Sequence, residues 1–126
     1  MSQSTAGTLD ISFKAGADLT NLQYHFVKLD GAGGIVGCGV GKELSIGILQ
    51  NAPADTKAAR VRLLGTSKLV MNEACGENAL LATDTNGHGI LAAAEKDYVG
   101  AIALEAAGAI DEIIEVLITK LHLKVT

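Results

Sequence analysis

Residues 58–64 read AARVRLL, with Val61 and Leu63 alternating with Arg60 and Arg62. A period of two, with cations on one side, marks a strand that buries one face. ISFKA (11–15) alternates in the same way and is closed by GADLTN. LQYHFVKLD (22–30), with its aromatic and β-branched residues, predicts the next strand. GIVGCGV (34–40) and ELSIGILQ (43–50) follow as strands after glycine turns. NAPADTK (51–57) carries the only proline, Pro53, and reads as a loop. SKLVMN (67–72) predicts a separate strand after a tight turn at Gly65. YVGAIALEA (98–106) predicts another, followed by the loop AGAID, while ILAAAEKD (90–97) has only a weak pattern.

Two stretches carry opposed signals. NALLATD (78–84) fits either one helical turn or a buried strand, leaving 77–83 open ahead of the strong turn signal TNGHG. In 110–121, Ile110, Ile113, Ile114, Leu117 and Leu121 have the spacing of an amphipathic helix. Yet IIEVLIT is heavily β-branched, and Ile114, Val116 and Ile118 also share one strand face. An internal echo favours the strand. SIGIL…AARVRLL (45–64) resembles YVGAIAL…IIEVLIT (98–119), with Gly47 matching Gly100 and Val61 matching Val116 two residues further along. Each unit is an apolar strand around a glycine, an Ala-rich loop, and a strand alternating apolar with charged residues. A duplicated β-hairpin predicts a mainly β fold, a small barrel or sandwich-like domain with a short helix at most. Residues 1–10, small and polar, read as a flexible N-terminal arm, and 11–126 as one β-rich domain.

Composition sharpens this. A chain of 126 residues is long enough to bury a core without disulfide or metal staples. The only aromatic side chains are Phe13, Tyr24, Phe26 and Tyr98, so small aliphatics must fill that core. The apolar excess suggests burial against copies of the chain or a partner. Net charge is −4, and no basic cluster exceeds the pair Arg60 and Arg62. With so few aromatics, neither a nucleic-acid groove nor a base-stacking platform is expected. MSQSTAGTLD lacks a basic start and an apolar run, and no stretch reaches membrane-spanning length, so neither a signal peptide nor a membrane partner is expected. Cys38 and Cys75 match no metal spacing and are expected to be reduced.

Chemistry is sparse. DGAGGIVGCGVGK (30–42) holds six glycines and ends on a lysine. A phosphate-binding P-loop would need a glycine where Val36 stands and a hydroxyl where Glu43 stands. The dinucleotide fingerprint misses by one position, and the following ELSIGILQN reads as a strand rather than a helix. A Gly-rich hairpin accounts for the segment better, and a nucleotide site over 31–42 stays as an alternative. His25, His88 and His122 come with no nucleophile signature, and Ser67 in GTSKL lacks the glycine of a nucleophile elbow. Cys75 lies between Glu73 and Glu77, which disfavour a thiolate and suit a small buried side chain. DTNGHG (84–89) faintly suggests a calcium loop but lacks the other carboxylates. Asp111, Glu112 and Glu115 form either an acidic patch or a charged edge that discourages strand addition. No catalytic, cofactor-binding or metal-ligating residue is expected, and no enzyme.

Four stretches taken in order resemble a family: GADLTNLQYHFVKLDGAGGIV, SIGILQNAPADTKAARVRLLGTSKLV, GENALLATDTNGHG and DYVGAIALEAAGAIDEIIEVLI. Together they look like the small capsid decoration, or cement, proteins of tailed bacteriophages, over roughly residues 11–119. The resemblance implies a structural virion protein, made in the host cytoplasm. It would stand as a homotrimer on the outer surface of the expanded capsid and stabilise it by bridging subunits of the phage major capsid protein. It also implies an arm that orders on the capsid, with Ser2, Gln3, Ser4, Thr5 and Thr8 as contact candidates. Such a protein needs no cofactor. An adhesive or receptor-binding module of the virion surface is the alternative from another class.

Overall fold

The computed structural model describes residues 7–93 and 97–122, and among these every regular element is a strand. The strands are β1 (Leu9–Ala15), β2 (Phe26–Leu29), β3 (Gly34–Gly37), β4 (Gly47–Leu49), β5 (Ala58–Val70), β6 (Leu80–Thr83), β7 (Gly89–Leu91), β8 (Tyr98–Ala103) and β9 (Ile113–His122). They form one mixed sheet in the order β1-β3-β2-β4-β5-β9-β8-β6-β7. The fold is mainly β, as the patterning predicts, and both ambiguous stretches resolve as strands, β6 and β9.

The sheet is folded on itself. β1 pairs in parallel with β3 and antiparallel with β5, so β1 to β5 close a ring through backbone hydrogen bonds. Its interior holds Ala15, Leu19, Val27, Ile35, Leu49, Ala59 and Val61. Burying a side chain of the Val, Leu or Ile class is worth about 1.5–3 kcal/mol, so this small cluster accounts for much of the first ring's stability. β5 then continues past the ring. Its first part pairs with β1 and β4, and its second part, from Gly65 to Val70, pairs with β9. The tight turn expected at Gly65 is absent; the strand runs unbroken for 13 residues. Gly65 sits at φ 96°, a left-handed conformation that lets the strand change direction as it leaves one ring for the other.

β6 to β9 and the second part of β5 repeat the first ring. β6 pairs with β7 and β8, β8 with β9, and β9 with β5, all antiparallel. A parallel bridge from Met71 to Gly89 closes this ring where β1 and β3 close the first. Details recur at equivalent places. Asp30 and Asp84 each accept the amides two and four residues on, Ala32 and Gly34 in one turn, Asn86 and His88 in the other. Tyr24 and Asn78 are both left-handed, at φ 65° and 67°, and donate to the carbonyls of Leu49 and Ala103. Thr56 and Asp111, also left-handed, donate to Ala15 and Met71. The echo in the sequence therefore belongs to a duplicated five-strand unit, of which the expected hairpin is one part, although the ladders set Gly47 against Ala101 and not against Gly100.

Three boundaries differ from the pattern reading. β1 begins at Leu9, so Leu9 and Asp10 belong to the strand, opposite Leu64 and Arg62, and not to the arm. Leu22 to His25 form a turn, closed by the His25 amide on the Leu22 carbonyl, because Tyr24 takes a left-handed φ that no strand allows. β9 lies between β5 and β8, so Glu115 is not on a charged edge; it is buried, and its amide donates to Glu105.

Candidate functional site

The glycine segment is the first place to look for an anion site, and its amides are already engaged. Glu43 folds back so that its Oε2 accepts the amides of Gly39 and Val40, each at 2.8 Å, while Oε1 pairs with Lys28 at 2.9 Å. Burial pushes the Glu43 carboxyl up, but Lys28 and the two amides outweigh it and hold the group below its ordinary value. At the other end Asp30 takes the amides of Ala32 and Gly34, which hold its carboxyl low. A phosphate would have to displace two internal carboxylates. Lys42 faces away from any such nest. Its Nζ lies 3.3 Å from Asp97, its amide donates to Thr83 and its carbonyl accepts from Tyr98, so it ties the two rings together.

A groove of about 500 Å³ between the rings brings together His25, Cys38, Thr85 and His88. Sequence reasoning treats the histidines separately; the turn at 84–88, docked on β2, places their rings 4.6 Å apart. His25 Nδ1 lies 3.0 Å from the Gln23 carbonyl, which makes that nitrogen the proton carrier. His88 Nδ1 is buried 3.5 Å from Asp84 Oδ2, and His88 Nε2 lies 3.8 Å from Asp111. Asp84 is committed to the Asn86 and His88 amides and to Asn72. Among the described residues no group of three or more His, Cys, Asp or Glu is arranged to hold a metal. Cys38 is no nucleophile here, because burial pushes its thiol up to about 12.

Burial holds His25 below the ordinary histidine value, against the weaker upward pull of its bond to the Gln23 carbonyl. The unfolded chain therefore binds a proton that the folded chain rejects. The stability contributed is complete above pH ~6.5 and is lost as pH falls below that toward the lower folded value. The melting temperature should fall between pH 7.5 and pH 5, and His25→Gln should flatten that limb. A wild-type melting temperature level across the window would show that His25 is not desolvated.

One interaction within the first ring had no sequence signal. Arg62, buried, donates through Nε to Asp10 Oδ1 at 2.7 Å, through its terminal nitrogens to Asp10 Oδ2 at 3.1 Å, and to the Thr66 carbonyl at 3.1 Å. Arg62 holds the Asp10 carboxyl low. The two residues lie far apart in sequence, and only the β1–β5 register brings them together. Thr8, the one arm candidate among the described residues, is half-buried beside Gly65. Ser2, Gln3, Ser4, Thr5 and the side chain of His122 lie outside the described residues.

Exposed apolar residues also gather on the surface. Leu29, Leu44 and Ile46, with Lys28 and with Lys120 from β9, line a shallow groove beside the first ring. Burial pulls the Lys120 ammonium below its ordinary value, and its Nζ donates to the Leu63 carbonyl. Ile113, Leu117 and Leu121 are exposed along β9.

No family model matches the chain, and no curated protein matches its sequence. Its fold is nevertheless found in a solved structure, the N base of the head fiber protein gp8.5 of bacteriophage phi29. The two superpose with a TM-score of 0.69 at 15% identity, over 92% of this chain and 99% of that one. At such identity the likeness is one of fold, and it takes in both rings.

Proposed function

We propose that this protein is a structural component of a phage head, attached to the outer capsid surface as a homotrimer and bridging subunits of the major capsid protein. The observation that carries this reading is the correspondence of its whole fold to a head fiber base at 99% coverage of that chain. The chemistry is in keeping with it. The glycine segment is closed by its own carboxylates, the groove thiol is held protonated, and the exposed features are leucine and isoleucine. A protein of this kind works without catalysis, through several modest contacts whose linkage raises effective concentration. The acidic balance suits the outside of a shell whose packaged nucleic acid lies within.

The match to a fiber base also favours a second reading, a mount or adhesive module present in few copies. Gradient fractionation of the source lysate separates the two. Co-migration with mature heads at a copy number near that of the major capsid protein is the expected result, and a few copies per particle would favour the mount. Recovery only as free protein would overturn both. The arm is tested by deleting residues 1–6, which should leave the melting temperature unchanged and weaken rebinding to stripped heads at least tenfold. Unchanged rebinding would remove the arm from the contact.

A further inference from the structure

The packing that joins the two rings is used once, although both of its faces occur twice. On the first ring, Arg62, Ile48, Phe26 and Cys38 lie side by side, linked by the pairings of Ile48 with Arg62 and Phe26 with Ile48, and by the Cys38 amide on the Phe26 carbonyl. All four are buried. The second ring covers three of them, since Phe26, Cys38 and Ile48 share a core with Leu81, Ala101 and Ile118, while Arg62 is held by Asp10 and the Thr66 carbonyl. A Cβ on Gly100 would fall 2.6 Å from the Phe26 ring, and the Gly87 carbonyl accepts the Phe26 amide at 2.8 Å.

Counting along the same ladders gives the equivalent stripe on the second ring: Leu117, Ile102, Leu80 and Ala92, linked by the same two pairings and by the Ala92 amide on the Leu80 carbonyl. Among the described residues no third ring follows to cover it. Leu117 is 39% exposed and the other three are half-buried. The terminal unit of a repeat array ordinarily turns a polar face outward. Here the reverse holds, since the covered stripe contains Arg62 and the uncovered stripe is wholly apolar.

The complementary face recurs as well. The docked turn at 84–88 has its counterpart in the turn at 30–34, where a Cβ on Gly31 or Gly33 would meet nothing within 4 Å. Buried Thr83 and Gly100 correspond to Leu29, 48% exposed, and to Ile46, which line the groove with Leu44, 52% exposed. One copy of the chain thus carries an apolar socket at one end and a matching turn and groove at the other.

We propose that copies of this chain associate head to tail, the 30–34 turn and the Leu29/Leu44/Ile46 groove of one copy seating on the Leu80/Ile102/Leu117 stripe of the next. This repeats between chains the packing that joins the rings within one chain. Such a contact is heterologous and closes into a ring when its rotation divides a circle evenly. It deepens the reading of the protein as a homotrimer, and rests on it.

The test uses full-length Leu117→Glu and a Leu29→Glu/Leu44→Glu double variant, with mass read by sedimentation and folding by melting temperature. Wild type should sediment as an oligomer, and each variant alone as a single chain with a near wild-type melt. An equimolar mixture should form a one-to-one dimer and stop there, because one intact socket meets one intact groove. Wild type that stays monomeric at its solubility limit overturns the proposal. So do folded variants that remain oligomeric, or a mixture that gives no dimer, which would indicate a two-fold contact instead. Should a glutamate prevent folding, Leu117→Gln and Leu44→Gln carry the same test. Rebinding to stripped heads is measured in parallel: an oligomer that ignores heads would sink the capsid reading while leaving this interface standing.

Discussion

Gly47→Ala should destabilise the protein by about 3 kcal/mol, the upper part of the range for overpacking. In a strand, replacing glycine with alanine ordinarily helps, by reducing the freedom of the unfolded chain. Here the added Cβ would lie 2.3 Å from the Arg62 carbonyl oxygen and 2.9 Å from Val61 Cγ1. The oxygen belongs to the backbone of β5, opposite Ile48 of β4, so relief requires prising the two strands apart. That movement would also disturb the Arg62 side chain and its bond to Asp10. In a domain of this size the melting temperature should drop by roughly 10 °C. Gly39→Ala is the control, since a Cβ there would meet nothing within 4 Å. If Gly47→Ala melts with wild type, β4 and β5 are not registered as described.

Phe26→Ala should cost about 3–5 kcal/mol, the usual toll for emptying a large buried aromatic site. Phe26 projects outward from the first ring and is covered by the second, where Gly100 leaves room for its ring and Ser45 lies alongside. The cavity would open between the rings, and neither wall can collapse freely because each is pinned by its own hydrogen-bonded strands. Phe26→Leu, the residue the second ring carries at this place, should lose less than half as much. Chemical denaturation gives both numbers. A loss under about 1 kcal/mol for the alanine variant, below the range for buried aromatics, would mean that the rings barely depend on each other.

The alternation of apolar and polar residues marked most of the strands and, through the echo, decided β9, but it left β6 open and missed β7, which lies where the pattern is weak. It misled at Gly65 because glycine punctuates a turn and a strand corner alike; only the pairing partners on either side tell the two apart. It misled at Tyr24 because aromatic propensity speaks for strands, while a left-handed φ is imposed by the turn that presents His25. The full duplication was hidden by size exchanges in the core. Leu49 is replaced by Ala103, Ile35 by Gly89 and Phe26 by Leu80, which erase similarity while keeping the ladders. The misfit of the glycine segment to a phosphate loop was legible from Glu43. That this same glutamate closes the loop was not, because its reach depends on the turn at Val40. Apolar contact surfaces leave no local motif, so the capsid reading came from resemblance across the whole chain.

The shared strand has a consequence for how the molecule comes apart. Each ring keeps its own part of β5 on its own side of Gly65, so what resists separation after a cut there is the shared packing of Phe26, Cys38 and Ile48 against Leu81, Ala101 and Ile118. Amide exchange in β3 and β7, one in each ring, would then report one opening event. A protein of this build stays shut until it yields all at once.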